Sequence, residues 1–227
     1  MNTLVALARI AIGIACLITA AMSMQAHADA LPHAALPSLA SQLQVGDVVF
    51  IRVNSLPFIK VASTTNSWTN HVGIVVDTSG AEPMVAESHI PVSGITPLSR
   101  YIGRSQAGRV AVLRLNEPLT PSQQQALVDS ARRRMGIYYD TGFNLHSKRE
   151  FCSRYVREVV QDATGTGLGE VETFATMLHR NPQADLGFWR VWYFGRIPWT
   201  RETVTPASLL NDDRLRPVFD GFVGGVI

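Results

Sequence analysis

Short runs of apolar, β-branched residues bounded by turn residues predict strands in the first half of the chain. These strands are expected at residues 48–53, 71–77, 84–88 and 110–115. The second and third are separated by the Ser79-Gly80 turn, so they should pair antiparallel as a hairpin. A period of two places Val85, Glu87 and His89 on one face of that hairpin. Gly73 lies inside the 71–77 run, which indicates a close approach by a neighbouring group.

Helical periodicity and capping residues predict helices at residues 58–63, 97–102, 121–134, 171–178 and 208–210. The aromatic stretch 188–194 is predicted as a core or edge strand, and as an alternative it could form the wall of a groove for an apolar substrate. Residues 91–104 are otherwise irregular and are a candidate lid. The C-terminal tail is rich in glycine.

A further helix is predicted to begin at Cys152. The preceding segment, residues 140–148, is polar and turn-prone, and the apolar residues that follow fall on one helical face: Tyr155, Val156, Val159 and Val160. Free amide groups and the helix dipole at such an N-terminus stabilise an anion, here a thiolate. A free cysteine has a pKa of about 8.5, and this position favours a lower pKa and a reactive sulfur.

The N-terminus has the features of an export signal. Arg9 precedes an apolar run at residues 10–21, and Ala26-His27-Ala28 is a small-x-small cleavage site. The sequence therefore predicts a signal peptide at residues 1–28, a tether at 29–44 and one domain at 45–227, with the mature protein periplasmic or secreted. An uncleaved N-terminal anchor is the alternative, and it would be the only contact with a membrane.

Removal of residues 1–28 leaves Cys152 as the sole cysteine, which excludes a disulfide within the mature chain. Its thiol is then free and reactive, joined to another molecule, or simply a small buried apolar group. The net charge of +2 is nearly neutral, so nothing calls for nucleic acid as a partner. The cysteine and histidine spacing matches no metal site, and no cofactor is predicted.

A cysteine hydrolase needs a nucleophile, a histidine and a group that orients the histidine. Cys152 is the predicted nucleophile and His71, at the start of a core strand, is the predicted base. Glu87 is the predicted orienting group, with His89 as its rival. His146 is a rival base that lies in a flexible-looking segment.

The order of histidine, glutamate and cysteine resembles that of the YiiX/YebB-like family of circularly permuted papain-like hydrolases, which are related to NlpC-type cell-wall peptidases. The motifs that carry the resemblance are Gly46-Asp47-Val48-Val49-Phe50, Asn70-His71-Val72-Gly73, Ala86-Glu87, Thr96-Pro97-Leu98, Tyr139-Asp140, Phe151-Cys152-Ser153, Ile197-Pro198 and Thr205-Pro206. They span nearly the whole chain after residue 44.

This resemblance implies an α+β, permuted papain-like fold, with a small antiparallel sheet packed against the helix that carries Cys152. It also implies that Tyr139 lies beside the oxyanion site, and Ser153 is a further candidate for binding oxyanion or substrate. Arg154 departs from the family, in which an acidic residue often stands two positions after the cysteine.

Three functions follow from these residues. The first is an exported cysteine amidase or peptidase with a Cys152–His71–Glu87 triad that acts on amide bonds, as in cell-wall peptide. The second is a thiol acyl hydrolase or acyltransferase that acts on lipid through the same triad. The third is an envelope binding protein without catalytic activity, in which Cys152 has an ordinary thiol pKa.

Overall fold

A computed structural model describes residues 30–224. Seven strands form one sheet in the order β1-β9-β6-β2-β3-β4-β5, in which only the β1–β9 pair is parallel. The strands of this sheet are His33–Ala35 (β1), Val48–Val53 (β2), His71–Asp77 (β3), Met84–Glu87 (β4), Gly94–Pro97 (β5), Ser105–Leu115 (β6) and Leu215–Gly224 (β9). Two further short strands, Glu172–Thr173 (β7) and Glu202–Thr203 (β8), pair with each other.

The helices of the described chain pack around this sheet and its edge. They are Leu36–Ala40 (α1), Leu56–Thr64 (α2), Leu98–Gly103 (α3), Pro121–Arg133 (α4), Cys152–Thr164 (α5), Phe174–Arg180 (α6), Leu186–Trp192 (α7) and Pro206–Leu210 (α8). Among residues 30–224, no helix has the length and apolar character required to cross a lipid bilayer.

The central sheet is buried on both faces. Val72 and Ile74 of β3 pack with residues of α4 and α5, such as Leu127 and Val156. Val75 packs on the opposite face with residues of α1 and α3. Because both faces are covered, the central strands are apolar at successive positions and do not alternate between apolar and polar residues. The predicted α+β fold, with an antiparallel sheet against the helix that begins at Cys152, is confirmed.

Gly73 allows β3 to pack tightly. A Cβ atom there would come within 2.6 Å of Val85 Cγ1 and 3.0 Å of the Tyr101 ring. The Tyr101 ring in turn lies 5.9 Å from the ring of His71, between centroids. The expected close approach at Gly73 is therefore the packing of α3 on the strand that carries His71.

The aromatic stretch 188–194 lies mostly in a helix, so its prediction as a strand was wrong. Asp185 caps α7 by accepting a hydrogen bond from the Phe188 backbone N–H at 3.0 Å. Its aromatic rings pair four residues apart, Phe188 with Trp192 and Trp189 with Tyr193, at 5.6 and 6.0 Å between centroids. Stacking at this spacing requires a helix, and it outweighs the strand preference of aromatic residues.

The segment predicted as a tether is packed against the domain over residues 33–43. β1 pairs with β9, and Leu39 of α1 is fully buried. The glycine-rich tail supplies β9, in which Gly221 makes room for the Pro32 carbonyl, since a Cβ atom there would clash with it. The predicted signal peptide lies outside the described residues.

Residues 91–104, the candidate lid, form β5 and α3 instead. β5 pairs with β4 through four residue pairs, from Met84–Pro97 to Glu87–Gly94. The segment is therefore the edge of the sheet, with backbone hydrogen bonds that an opening lid would have to break.

Candidate active site

Cys152 is the first residue of α5 and is 3% exposed. Phe151 precedes it in an extended conformation and makes no side-chain cap, so the first amide groups of the helix are left for other acceptors. Tyr155, Val156 and Val159 anchor the helix in the core. The cysteine thus lies at a rigid helix N-terminus, as predicted from the sequence.

His71 and Glu87 are brought together by the β3–β4 hairpin. His71 opens β3 and Glu87 closes β4, and the antiparallel pair Ile74–Ala86 brings these two strand ends close together. The Nε2 atom of His71 lies 2.6 Å from Glu87 Oε2, and both residues are buried. The Nδ1 atom makes no hydrogen bond of normal geometry within residues 30–224.

Two further residues bind the other oxygen of Glu87. Thr96 Oγ1 of β5 and Arg104 Nη2, at the end of α3, donate to Oε1 at 2.8 and 2.6 Å. Sequence reasoning missed both. Thr96 belongs to one of the quoted motifs, but only its hydrogen bond in the folded sheet shows that it contacts Glu87.

The charges in this cluster favour an imidazolium. Burial by itself lowers the pKa of His71, but attraction and hydrogen bonding to Cys152 and Glu87 raise it to about 9. Burial would raise the pKa of Glu87, yet its hydrogen bond and attraction to His71, the charge of Arg104 and the Thr96 hydrogen bond lower it to about 2.

The pKa of the Cys152 thiol shifts in the direction opposite to that of His71. Burial raises the pKa of Cys152, but the charge and hydrogen bond of His71, the Val72 backbone N–H and the Tyr139 hydroxyl together lower it below its usual value. The two shifts have opposite signs, so both favour a thiolate–imidazolium pair over a neutral thiol and imidazole.

Tyr139 lies beside the sulfur and is 5% exposed. Its hydroxyl makes no hydrogen bond of normal geometry within the described chain, although it is close enough to help lower the pKa of Cys152. Burial and the neighbouring Cys152 raise the pKa of Tyr139 well above its usual value, so its proton stays available for donation.

A partly buried ion-pair network supports the Tyr139 segment. Tyr139 bridges to Glu150, and the Asp140 N–H donates to the Glu150 carbonyl at 2.7 Å. Arg134 at the end of α4 donates to the Glu150 carboxylate at 2.6 Å and binds Glu158 of α5 at 2.5 Å. Arg134 thereby fixes the segment before Cys152 to the helix after it.

Ser153 lies at the site with its hydroxyl directed into the protein. The Oγ atom donates to the Val204 carbonyl at 2.8 Å, and the residue is 1% exposed. This bond ties α5 to the segment after β8. The Ser153 hydroxyl proton is therefore already engaged in this structure.

The rival histidines do not join the cluster. His89 Nδ1 pairs with the Ile90 carbonyl at 3.0 Å, and His146 Nε2 pairs with Glu202 at 2.7 Å on the surface. Arg154 is also directed elsewhere, because it binds Glu158 at 2.7 Å and the Ser147 carbonyl at 2.7 Å. Its positive charge is thus balanced within α5.

A narrow apolar cavity reaches Cys152. Its solvent-accessible space is about 30 Å³, which holds one or two water molecules. Its walls are largely aromatic and aliphatic side chains from α2, α6, α7 and the loop after Tyr139, including Phe58, Val61, Phe143, Phe174, Met177 and Trp189.

A larger polar cleft adjoins this cavity and has Thr64, Thr65, Met177 and Thr205 in common with it. The cleft has a volume of about 740 Å³ and is lined by charges of both signs: Glu170, Glu172, Arg180, Asp212, Asp213 and Arg214. The two spaces together offer a polar binding surface beside an apolar approach to the sulfur.

No three side chains of histidine, cysteine, aspartate or glutamate within residues 30–224 are arranged to hold a metal ion.

Comparison with known proteins places the chain among papain-like enzymes. A family described as "Permuted papain-like amidase enzyme, YaeF/YiiX, C92 family" matches residues 42–219. The uncharacterized protein YiiX of Escherichia coli K12 is 30% identical over 183 residues, which cover 81% of this chain and 89% of YiiX.

A solved structure gives the same likeness. The crystal structure of YiiX from Escherichia coli O157:H7 superposes with a TM-score of 0.73 at 28% identity, over 80% of this chain and 99% of that one. That protein is described as a metalloprotein.

Proposed function

Because the chain belongs to the C92 family of permuted papain-like amidases and is a cysteine hydrolase by that membership, we propose that it cleaves amide bonds with a Cys152–His71–Glu87 triad. The observation that carries this proposal is the 2.6 Å contact between His71 Nε2 and Glu87 Oε2, with His71 Nδ1 left for exchange with Cys152.

The proposed reaction has two steps. The Cys152 thiolate attacks the carbonyl carbon, and the amide oxygen gains negative charge, which the Cys152 backbone N–H and the Tyr139 hydroxyl bind. His71 gives its Nδ1 proton to the leaving amine as the C–N bond breaks, which leaves a thioester on Cys152. His71 then takes a proton from water, the resulting hydroxide cleaves the thioester, and the thiolate–imidazolium pair is restored.

Glu87 acts through His71 in this scheme. Its pKa of about 2 keeps it ionised across the working pH range, and its contact with Nε2 leaves Nδ1 for proton exchange with Cys152. Arg104 and Thr96 in turn hold Glu87 in place, since both bind Oε1.

The proposed substrate is a peptide amide, as in cell-wall peptide. The charged cleft beside the cavity supports this choice, because its arginines and carboxylates match the ionised groups of a short peptide. Hydrolysis of an acyl lipid is the second candidate, favoured by the aromatic and aliphatic walls next to Cys152. Assays with short peptides and with lipid esters and amides distinguish the two.

The chemistry can be tested before any substrate is known. Alkylation of Cys152 by iodoacetamide, measured against pH, should show a thiolate well below about pH 8.5, and His71→Ala should remove this reactivity. A titration like that of a free thiol in both proteins would refute the triad and favour the binding-protein alternative. The Cys152→Ala variant should fold and lack all turnover.

We further propose that the protein is exported and cleaved after Ala28. The mass and N-terminal sequence of the protein isolated from the periplasmic fraction test this. A mature chain that begins at Asp29 is expected, and retention of residues 1–28 on the purified protein would contradict it.

A further inference from the structure

The C-terminal end of α7 exposes two large apolar side chains. Val191 is 79% exposed and Phe194, two residues beyond the helix, is 95% exposed. The opposite side of the helix is buried at Trp189, which is 3% exposed. The outer apolar pair therefore contributes almost nothing to the core of the described chain.

The backbone at Phe194 is also unfavourable for a phenylalanine. Its φ is +51°, the left-handed conformation in which helices usually end on glycine. Hydrogen bonds from the Phe194 N–H to the Val191 carbonyl at 3.1 Å and from the Gly195 N–H to the Arg190 carbonyl at 2.7 Å hold it there. A strained and fully exposed aromatic residue opposes stability, so it points to a role outside the fold.

Between the flanking carboxylates of Asp185 and Glu202, the segment carries only positive charges. Residues 186–201 include Arg190, Arg196 and Arg201 and contain no aspartate or glutamate. Arg190 and Arg196 are exposed, and within residues 30–224 neither makes a salt bridge. Exposed apolar side chains between arginines are the combination that binds anionic membranes, because the apolar groups enter the interface while the cations face the headgroups.

We propose that this turn docks the protein on an anionic lipid membrane, with Val191 and Phe194 entering the interface and Arg190 and Arg196 facing the lipid headgroups. The proposal does not depend on the triad or on the nature of the substrate. It adds a membrane contact to the one expected of an uncleaved N-terminal segment.

Docking at this turn would place the substrate cavity near the lipid surface. The inner face of α7 supplies Trp189 to the cavity wall. Trp192 Nε1 and the Tyr193 hydroxyl donate to the carbonyls of Thr141 and Gly142, at 2.9 and 3.2 Å, in the loop that follows Tyr139. The same short helix therefore connects the proposed docking surface to the segment beside Cys152.

Vesicle binding by the full chain tests the proposal. Co-sedimentation should be stronger with vesicles of phosphatidylglycerol and phosphatidylcholine than with phosphatidylcholine alone. The double variant Val191→Ser, Phe194→Gly should bind about tenfold more weakly, and Arg190→Gln with Arg196→Gln should remove the preference for the anionic vesicles. Met135→Ser, which removes an exposed apolar side chain at the end of α4, is the matched control and should bind like the wild type.

The single variant Phe194→Gly separates docking from folding. Glycine suits a φ of +51°, so this change should maintain or raise the melting temperature while it weakens vesicle binding. If Phe194 served only the fold, the melting temperature would fall and vesicle binding would be unchanged, which would overturn the proposal.

A local measurement is needed as well, because the apolar run at residues 10–21 can bind vesicles by itself. Hydrogen–deuterium exchange of the full chain should show protection of residues 190–199 on addition of anionic vesicles. Absence of protection there would refute the docking surface. Protection that rises with protein concentration without vesicles would also refute it, and would identify a second copy of the chain as the occupant.

Discussion

The Nε2 atom of His71 lies 2.6 Å from Oε2 of Glu87, with both side chains out of contact with solvent. This bond leaves Nδ1 as the ring nitrogen free to exchange a proton with Cys152. The two residues stand sixteen positions apart and meet because the β3–β4 hairpin aligns the start of one strand with the end of the other.

Glu87→Gln should reduce kcat about 10²- to 10⁴-fold. An amide in place of the carboxylate does not stabilise the imidazolium and allows the wrong tautomer of His71. Steady-state kinetics on an amide substrate measure the effect, with the exposed Glu117→Gln as control. A Glu87→Gln enzyme with normal kcat would exclude Glu87 from the mechanism.

Arg104→Gln should reduce kcat by about tenfold, because Glu87 loses one of the cations that hold it ionised and in place. The acid limb of the pH–rate profile should also move to higher pH. Arg104→Lys retains the charge and should restore part of the rate. Arg100→Gln, which removes an exposed arginine from the same helix, should behave like the wild type.

Acid should destabilise the wild type more than the Glu87→Gln variant. The pKa of Glu87 is lowered from 4.5 to about 2, so its contribution to stability is complete above the unfolded-state pKa and is lost as pH falls toward 2. At about 1.4 kcal/mol per pKa unit, the contribution is about 3 kcal/mol.

Urea unfolding of both proteins between about pH 6 and about pH 2.5 measures this contribution. The difference in the free energy of unfolding between them should shrink as the pH falls. If this difference in the free energy of unfolding stays constant over the pH range, the Glu87 carboxylate has no special stabilisation in the folded protein.

Tyr139→Phe should lower kcat about 10²-fold, as expected for the loss of one oxyanion donor. Stability should hardly change, because the hydroxyl has no hydrogen bond of normal geometry to lose within the described chain. Kinetics and thermal unfolding of the same preparation give both values. An unchanged rate would indicate that Tyr139 serves only packing beside Cys152.

Arg134→Met should lower the free energy of unfolding by about 3 kcal/mol, because it leaves the buried Glu150 carboxylate without its cation. Arg133→Met is the matched control, since its side chain is 64% exposed and lies 3.6 Å from Asp162. The Arg133→Met substitution should lower the free energy of unfolding by less than about 0.5 kcal/mol. Glu150→Gln in the Arg134→Met background should recover part of the loss, and equal effects of the two arginine variants would contradict the network.

The sequence was sufficient where conformation is set by neighbouring residues. The apolar face from Tyr155 to Val160 and the polar segment before Phe151 placed a helix start at Cys152, and α5 begins there. The apolar runs at 48–53 and 71–77 appear as β2 and β3 with the predicted bounds. A single apolar face, or a short apolar run between turns, is enough to determine such elements locally.

The choice between Glu87 and His89 needed the tertiary structure. A period of two puts both on one face, but β4 ends at Glu87, and His89 lies beyond the strand with its Nδ1 near the Ile90 carbonyl. The hydrogen-bond partners of Glu87 also could not be predicted from local sequence, because the packing of β5 and α3 brings Thr96 and Arg104 to it. Local periodicity does not indicate where a strand ends or what packs beside it.

Predictions from local composition were wrong where contacts between distant segments determine the secondary structure or the packing. Residues 188–194 have the aromatic composition of a strand, yet the capping carboxylate of Asp185 and rings stacked four residues apart make a helix of most of the stretch. Residues 33–43 have the composition of a tether, yet they pack because β9 offers β1 a free edge and the core receives Leu39. The sequence by itself therefore determined the helix that begins at Cys152 and the central strands. The tertiary structure decided which distant groups surround them, because those contacts depend on the register and packing of segments far apart in the chain.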